Sequence, residues 1–253
     1  MNLIQTELNN AKKKMLETIP GTELVMLSPN NVAIVEAMIQ NDSAYLKSSD
    51  KTAGPEGKYE GSTAYWMVRL KEALMDTSSA SDDHYKEVLV GAITAVDREN
   101  STHLNADGVG REEILNRLLS IEKNSFIDFL RDPDGTSLYL VDYISAPTHP
   151  VGVSPNGYKY KARTNVSFAS KFCHYACFYL FEGEREQDNY SIYDNVLCKV
   201  LPKYIKHYKL KVRDLSTYGE YRKAVDDVIK TATEPISRNG LDHLLWYYFK
   251  GRI

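Results

Sequence analysis

Between positions 199 and 213 the chain carries Lys199, Lys203, Lys206, Lys209, Lys211 and Arg213, with His207, Tyr204 and Tyr208 interleaved and no acidic residue. Cationic side chains neutralise phosphates and aromatic rings offer stacking faces, so this run is a candidate nucleic-acid contact. The same run also reads as a solvated helix face followed by an edge strand, because Lys209–Arg213 alternates charged and apolar residues. Cys173, His174 and Cys177 are close in sequence, and the two thiols at i and i+4 share a helical face like half of a zinc site. The other half would need Cys198 or His207, and Cys198 sits in an apolar helical pattern, so buried free thiols are expected and no metal. There is no P-loop and no GxSxG, and Gly108-Val109-Gly110 lacks the rest of a dinucleotide fingerprint, so no cofactor is expected.

Three strings in the second half carry more. They are Ser167-Phe-Ala-Ser-Lys171-Phe-Cys-His174-Tyr175, then Tyr190-Ser-Ile192-Tyr193-Asp194-Asn-Val196, then Ile236 to Tyr248 with Leu241-Asp242-His-Leu-Leu245-Trp246 inside it. In order and chemistry they resemble the bacterial proteins with an 8-oxoguanine DNA glycosylase fold, a branch of the helix-hairpin-helix glycosylase superfamily. The resemblance covers roughly residues 163–250.

It implies that Lys171 is a nucleophile attacking the sugar carbon that bears a damaged base, with lyase activity a possible sequel. Asp194, 23 residues on, is implied as the electrostatic partner, and His174, Tyr193 and Trp246 as substrate-pocket residues. The residue types suit the chemistry. A lysine amine becomes nucleophilic when burial or cationic neighbours lower its pKa, and a fixed carboxylate stabilises cationic character on the sugar. The base would first be rotated out of the duplex. The chain departs from the superfamily in having no glycine in 163–170, where a Gly-rich hairpin normally presents N–H groups to a phosphate; its Gly-Val-Gly lies at 108–110. Thr164 or Asn165 is available to cap the helix instead. Taken on residue type alone, Lys171 snorkels from a helix among Phe168, Phe172 and Tyr175, and Asp194 is a helix cap.

Two other functional classes stay open. Arg238-Asn-Gly-Leu-Asp-His243 fits the Arg-x4-His spacing of HEPN ribonucleases, in which Arg stabilises charge and His handles a proton. Ser237 is the expected cap of that helix. The third class is a nucleic-acid or protein binding module without chemistry.

The elements that would position these residues read as helices. Leu3 to Leu16 is expected to form a first helix stopped by Pro20-Gly21, and Ser28-Pro29-Asn30 a cap ahead of a helix from Val32 to Tyr45. Residues 47–62 read as a loop, Thr63–Met75 as a helix with Trp66, Leu70 and Leu74 on one face, and His84–Val96 as helix or strand. A helix around Ile114–Ile121 continues or restarts at Phe126–Leu130. Pro133-Asp134-Gly135 is a turn, Ser137–Ile144 a short strand, and 146–162 irregular. Helices are expected over 165–181, 191–201, 217–232 and 240–250. The class is mainly α, a helix-hairpin-helix glycosylase-like fold with a few short strands.

The chain has 253 residues, 43% hydrophobic, 26% charged, with three cysteines and a net charge of -3, which excludes wholesale disorder and suits reduced thiols better than a disulfide framework. No long uncharged apolar run and no apolar signal core occur, so no membrane association is expected and the location is expected to be cytoplasmic. The charge is uneven. Residues 151–253 hold 17 Lys+Arg against 11 Asp+Glu, while 1–150 hold 14 against 23. An acidic, mainly helical part (1–150) and a basic part (151–253) are therefore expected, with DNA bound by the latter.

Overall fold

The computed structural model of the protein describes residues 14–49, 61–75, 82–100, 102–104, 110–147 and 164–250. It is mainly helical. The chain forms two compact units. Unit 1 contains residues 1–51 and 193–253, and unit 2 contains 52–192. The compositional boundary at 150 therefore lies inside unit 2. Counted by unit, charge is less polarised than by the split at 150: unit 1 holds 17 basic and 13 acidic residues, and unit 2 holds 14 and 21.

Unit 1 starts with a tight reversal instead of the end of a helix. Residues 14–16 form a turn, Thr18 pairs with Val25 as an isolated antiparallel bridge, and Gly21 supplies the left-handed backbone (φ 73°) that the reversal needs. The rest of the expected first helix lies outside the described residues. Asn31, fully buried, fastens the reversal: its Nδ2 donates to the Glu17 and Met26 carbonyls (2.9 and 2.8 Å) and its Oδ1 accepts from the Glu17 amide. Helix α1 (Pro29–Ser49) follows, capped by Ser28 Oγ, which accepts from Asn31 N. It extends through Ser49, into the stretch expected to be a loop.

The remaining helices of unit 1 are α8 (Asn195–His207), α9 (Tyr218–Ile229) and α10 (Arg238–Phe249). Leu197, Val200, Leu201, Tyr204 and Ile205 form the buried stripe of α8, and the Tyr204 hydroxyl donates to the Val25 carbonyl at 2.6 Å. Helix α10 packs on α1, where a Cβ at Gly240 would sit 2.9 Å from Val32.

Unit 2 comprises α2 (Thr63–Met75), α3 (Asp82–Asn100), α4 (Gly110–Leu119), α5 (Lys123–Arg131), α6 (Tyr139–Ser145) and α7 (Val166–Leu180). Ten of the fifteen residues of α7 are buried, because α2, α3, α5 and α6 all pack against it. A 3-10 turn, Arg185–Asp188, returns onto the same helix. The close approach of α2 and α3 depends on Gly91, since any Cβ there would enter the Trp66 ring. Likewise Gly110, last of the Gly-Val-Gly string, faces the Leu104 carbonyl so closely that no Cβ fits.

The expected strands are corrected. Among the described residues no strand is present, and the segment read as Ser137–Ile144 is a turn followed by α6. Leu140, Val141, Ile144 and Ser145 recur at helical spacing on its buried face, and two successive left-handed residues, Ser137 (φ 52°) and Leu138 (φ 60°), set its start. His84–Val96 resolves to helix. The presumed edge strand after α8 is an irregular segment beginning at Lys209, itself left-handed (φ 53°).

Candidate functional site

Lys171 lies in the middle of α7 with only 8% of its surface exposed, next in sequence to Phe172, whose ring stacks on that of Phe168 with centroids 5.8 Å apart. Its Nζ donates to Ser167 Oγ one turn earlier, at 3.3 Å. His174, three residues on, is 2% exposed, and its Nδ1 lies 2.9 Å from the Tyr190 carbonyl. A carbonyl only accepts, so Nδ1 carries a proton in this contact. Tyr175 and Phe178 flank that ring, and Tyr190 is itself fixed by its hydroxyl on the Phe129 carbonyl at 2.7 Å.

Asp194 is the N-cap of α8, its Oδ1 accepting from Val196 N at 2.6 Å. Beside it Tyr193 donates to the Leu215 carbonyl and packs on Tyr221, with ring centroids 4.8 Å apart. Burial, helped by Cys198 and Asp214, pushes the Tyr193 phenol up to about 12. Trp246 on α10 lies under the Lys250 ammonium, whose Nζ is 3.7 Å from the ring centroid. Burial pulls Lys250 below the usual lysine range while the charge of Asp194 opposes that pull. Sequence reasoning did not single out Lys250. The four-residue step from Trp246, which stacks side chains on one helical face, was the available signal.

The division between units falls between Ile192 and Tyr193. Lys171 and His174 thus belong to unit 2, whereas Tyr193, Asp194 and Trp246 belong to unit 1. Each unit gathers its own share of the expected site residues.

Of the basic run, Lys199, Lys203 and Lys206 are exposed on α8 at spacings of four and three, opposite its buried stripe, and Lys209 and Lys211 are exposed beyond it. Lys203 Nζ lies 5.7 Å from the Phe249 ring. Arg213 differs from the lysines. Its guanidinium, 13% exposed, is held by Asp227 (2.7 Å) and Glu220 (3.0 Å), so its charge is answered within the unit. Lys206, Lys209, Ile205, Leu210 and Val212 border a cleft of about 460 Å³ with an aliphatic floor.

Comparison with known proteins finds no matching family, curated relative or solved structure.

On α10, Ser237 is the N-cap, its Oγ accepting from Gly240 N at 2.9 Å. Arg238 follows and donates through Nε to Asp226 at 2.7 Å. Five helical steps turn His243 roughly 140° away from Arg238 around the axis. Cys173 and Cys177 are buried on α7, and burial pushes the Cys173 thiol far above its usual range. Among the described residues no group of three His, Cys, Asp or Glu side chains is arranged to hold a metal ion, and no helix is long and apolar enough to cross a membrane.

Proposed function

We propose that the protein is a DNA N-glycosylase-like enzyme acting on a damaged base such as 8-oxoguanine, with Lys171 as nucleophile. The observation that carries this reading is the burial of Lys171. Lys171 is 8% exposed on a helix with ten of its fifteen residues buried, and a lysine amine shielded from water is the kind of side chain that serves as a Schiff-base nucleophile. In the step itself Nζ bonds to the sugar C1′ as the bond from C1′ to the base nitrogen breaks. The electron pair leaves with the base, which takes a proton, and loss of the amine proton with ring opening yields a Schiff base. His174, whose Nδ1 faces the Tyr190 carbonyl, is the proposed pocket group on the same helix. Support for a DNA partner comes from the exposed lysines of α8 and the net positive charge of unit 1.

Borohydride trapping tests this on duplexes carrying 8-oxoguanine or an abasic site. A covalent adduct that disappears in Lys171→Ala is expected. Absence of an adduct with every lesion overturns the nucleophilic-lysine reading. RNA cleavage lost in His243→Ala would install the ribonuclease reading, although the hold of Asp226 on Arg238 speaks against it.

A further inference from the structure

We infer that unit 2 carries a binding site for a small organic ammonium, in a cavity between the end of α4, α5 and the start of α6. The cavity measures about 510 Å³ and is bordered by Ser120, Glu122, Ser125, Phe129, Thr136 and Tyr139. That volume is in the usual range for a small-molecule site. Its chemistry has one sign. Glu122 is the charged group in the lining, and two aromatic rings, Phe129 and Tyr139, meet at 57° with centroids 5.0 Å apart. Tyr143 stacks behind Tyr139 at 5.3 Å and 12°. Ring faces are negative in their quadrupole, so rings and carboxylate select the same ligand charge.

The polar groups are arranged as acceptors. Glu122 is the N-cap of α5, where a carboxylate ordinarily turns back onto the helix N–H groups, yet its side chain makes no capping bond. The Thr136 hydroxyl donates its proton to the Asp132 carbonyl at 2.8 Å, leaving its lone pairs outward. Ser120 donates to the Arg117 carbonyl at 2.7 Å and accepts from the Tyr143 hydroxyl at 2.9 Å, so it is satisfied within the wall and leaves Glu122 and Thr136 as the acceptors. The nearby cations are occupied. The Lys123 ammonium lies over the Tyr85 ring at 5.0 Å, and Arg117 is held by Glu113 and the Ala146 carbonyl. The wall is also held at a cost, because Ser137 and Leu138 are both left-handed non-glycine residues immediately before Tyr139. Around the cavity, unit 2 has seven more acidic than basic residues, a field that draws cations in.

The inference does not rest on the glycosylase reading, and its test measures binding alone. Titration calorimetry on the full chain compares choline chloride with 3,3-dimethylbutanol, its neutral isostere. Choline is expected to bind with Kd at or below about 1 mM, at least roughly tenfold tighter than the isostere. Tyr139→Ala and Glu122→Gln should each weaken choline by about five- to thirty-fold, while Tyr139→Phe, which keeps the ring, stays within about twofold. Tyr139 is 45% exposed, so removing its ring leaves the fold intact, and circular dichroism verifies that. A tripeptide containing trimethyllysine is run alongside, and the tighter of the two distinguishes a free metabolite from a modified side chain as the ammonium source. Equal affinity for choline and the isostere, no binding up to roughly 10 mM, or choline affinity unchanged in Tyr139→Ala overturns the inference.

Discussion

Replacing Asp97 by alanine removes the acceptor of four hydrogen bonds at once. Its Oδ1 accepts from the Thr102 hydroxyl (2.6 Å) and the Leu104 amide (3.0 Å), and its Oδ2 from Arg111 Nε and Nη2 (2.9 and 2.7 Å). The carboxylate is 5% exposed and Arg111 34%, so the ion pair is partly screened while the two neutral donors face a buried anion. Each of those donors contributes about 1.5 kcal/mol and the screened pair about 1, so Asp97→Ala should cost ~3–5 kcal/mol once the stranded donors are included. Asp97→Asn keeps one acceptor oxygen and should cost about 2 kcal/mol. Trp66 lies in unit 2 and Trp246 in unit 1, so Trp246→Phe leaves a fluorescence reporter of unit 2 alone. With a urea slope of about 2–3 kcal/mol/M, the midpoint should fall by roughly 1–2 M. Burial raises the Asp97 carboxyl, but Thr102, Leu104 and Arg111 together hold it below the usual carboxylate range. Its contribution is therefore complete above the unfolded value of about 4 and lost as pH falls through the folded one. The deficit of Asp97→Ala should shrink in acid. A midpoint shift below about 0.3 M, or a deficit that persists unchanged at low pH, refutes the reasoning.

Three further outcomes are expected. Gly91→Ala drives a methyl into the Trp66 ring and should destabilise unit 2 by about 1–3 kcal/mol with a change in Trp66 emission. Tyr204→Phe strands the buried Val25 carbonyl and should cost about 1–2 kcal/mol, read from Trp246 in a Trp66→Phe background. Replacing Lys199, Lys203 and Lys206 by alanine should lower the salt slope of DNA binding by about 2–3 without altering it for Arg213→Lys, since Arg213 is engaged by Asp227 and Glu220.

Helical periodicity was legible wherever a helix has a wet face. Thr63–Met75 is bounded as its apolar spacing implies, and α7, α9 and α10 begin and end within about two or three residues of expectation. The failure at Ser137–Ile144 has a local cause. Its aromatic and β-branched content suits a strand, but the turn over 133–138 and packing on α7 decide in favour of helix. His84–Val96 was ambiguous because the buried residues of α3 run Val88, Leu89, Ala92, Ile93, Ala95 and Val96, too dense to show a single period. At the candidate site the Asp194 cap could be read from its position ahead of an apolar run. The depth of Lys171 could not, because burial depends on what α2, α3, α5 and α6 lay over α7. Nor could the role of Arg213 be read, because Glu220 and Asp227 lie 7 and 14 residues away.

Unit 1 is assembled from both ends of the chain, and this sets an order on biosynthesis. The Tyr204 hydroxyl meets a carbonyl 179 positions earlier, and α1 packs on a helix that starts at residue 238. While a ribosome extends the chain, the reversal at 18–25 and α1 emerge first and must wait, with Val25, Leu27 and Val35 uncovered, until α8 and α10 follow. Unit 2, continuous from 52 to 192, completes in the meantime. Nascent chains arrested shortly after residue 192 should thus be rich in unit 2 and poor in unit 1, a vulnerability to chaperones and proteases confined to the first fifty residues.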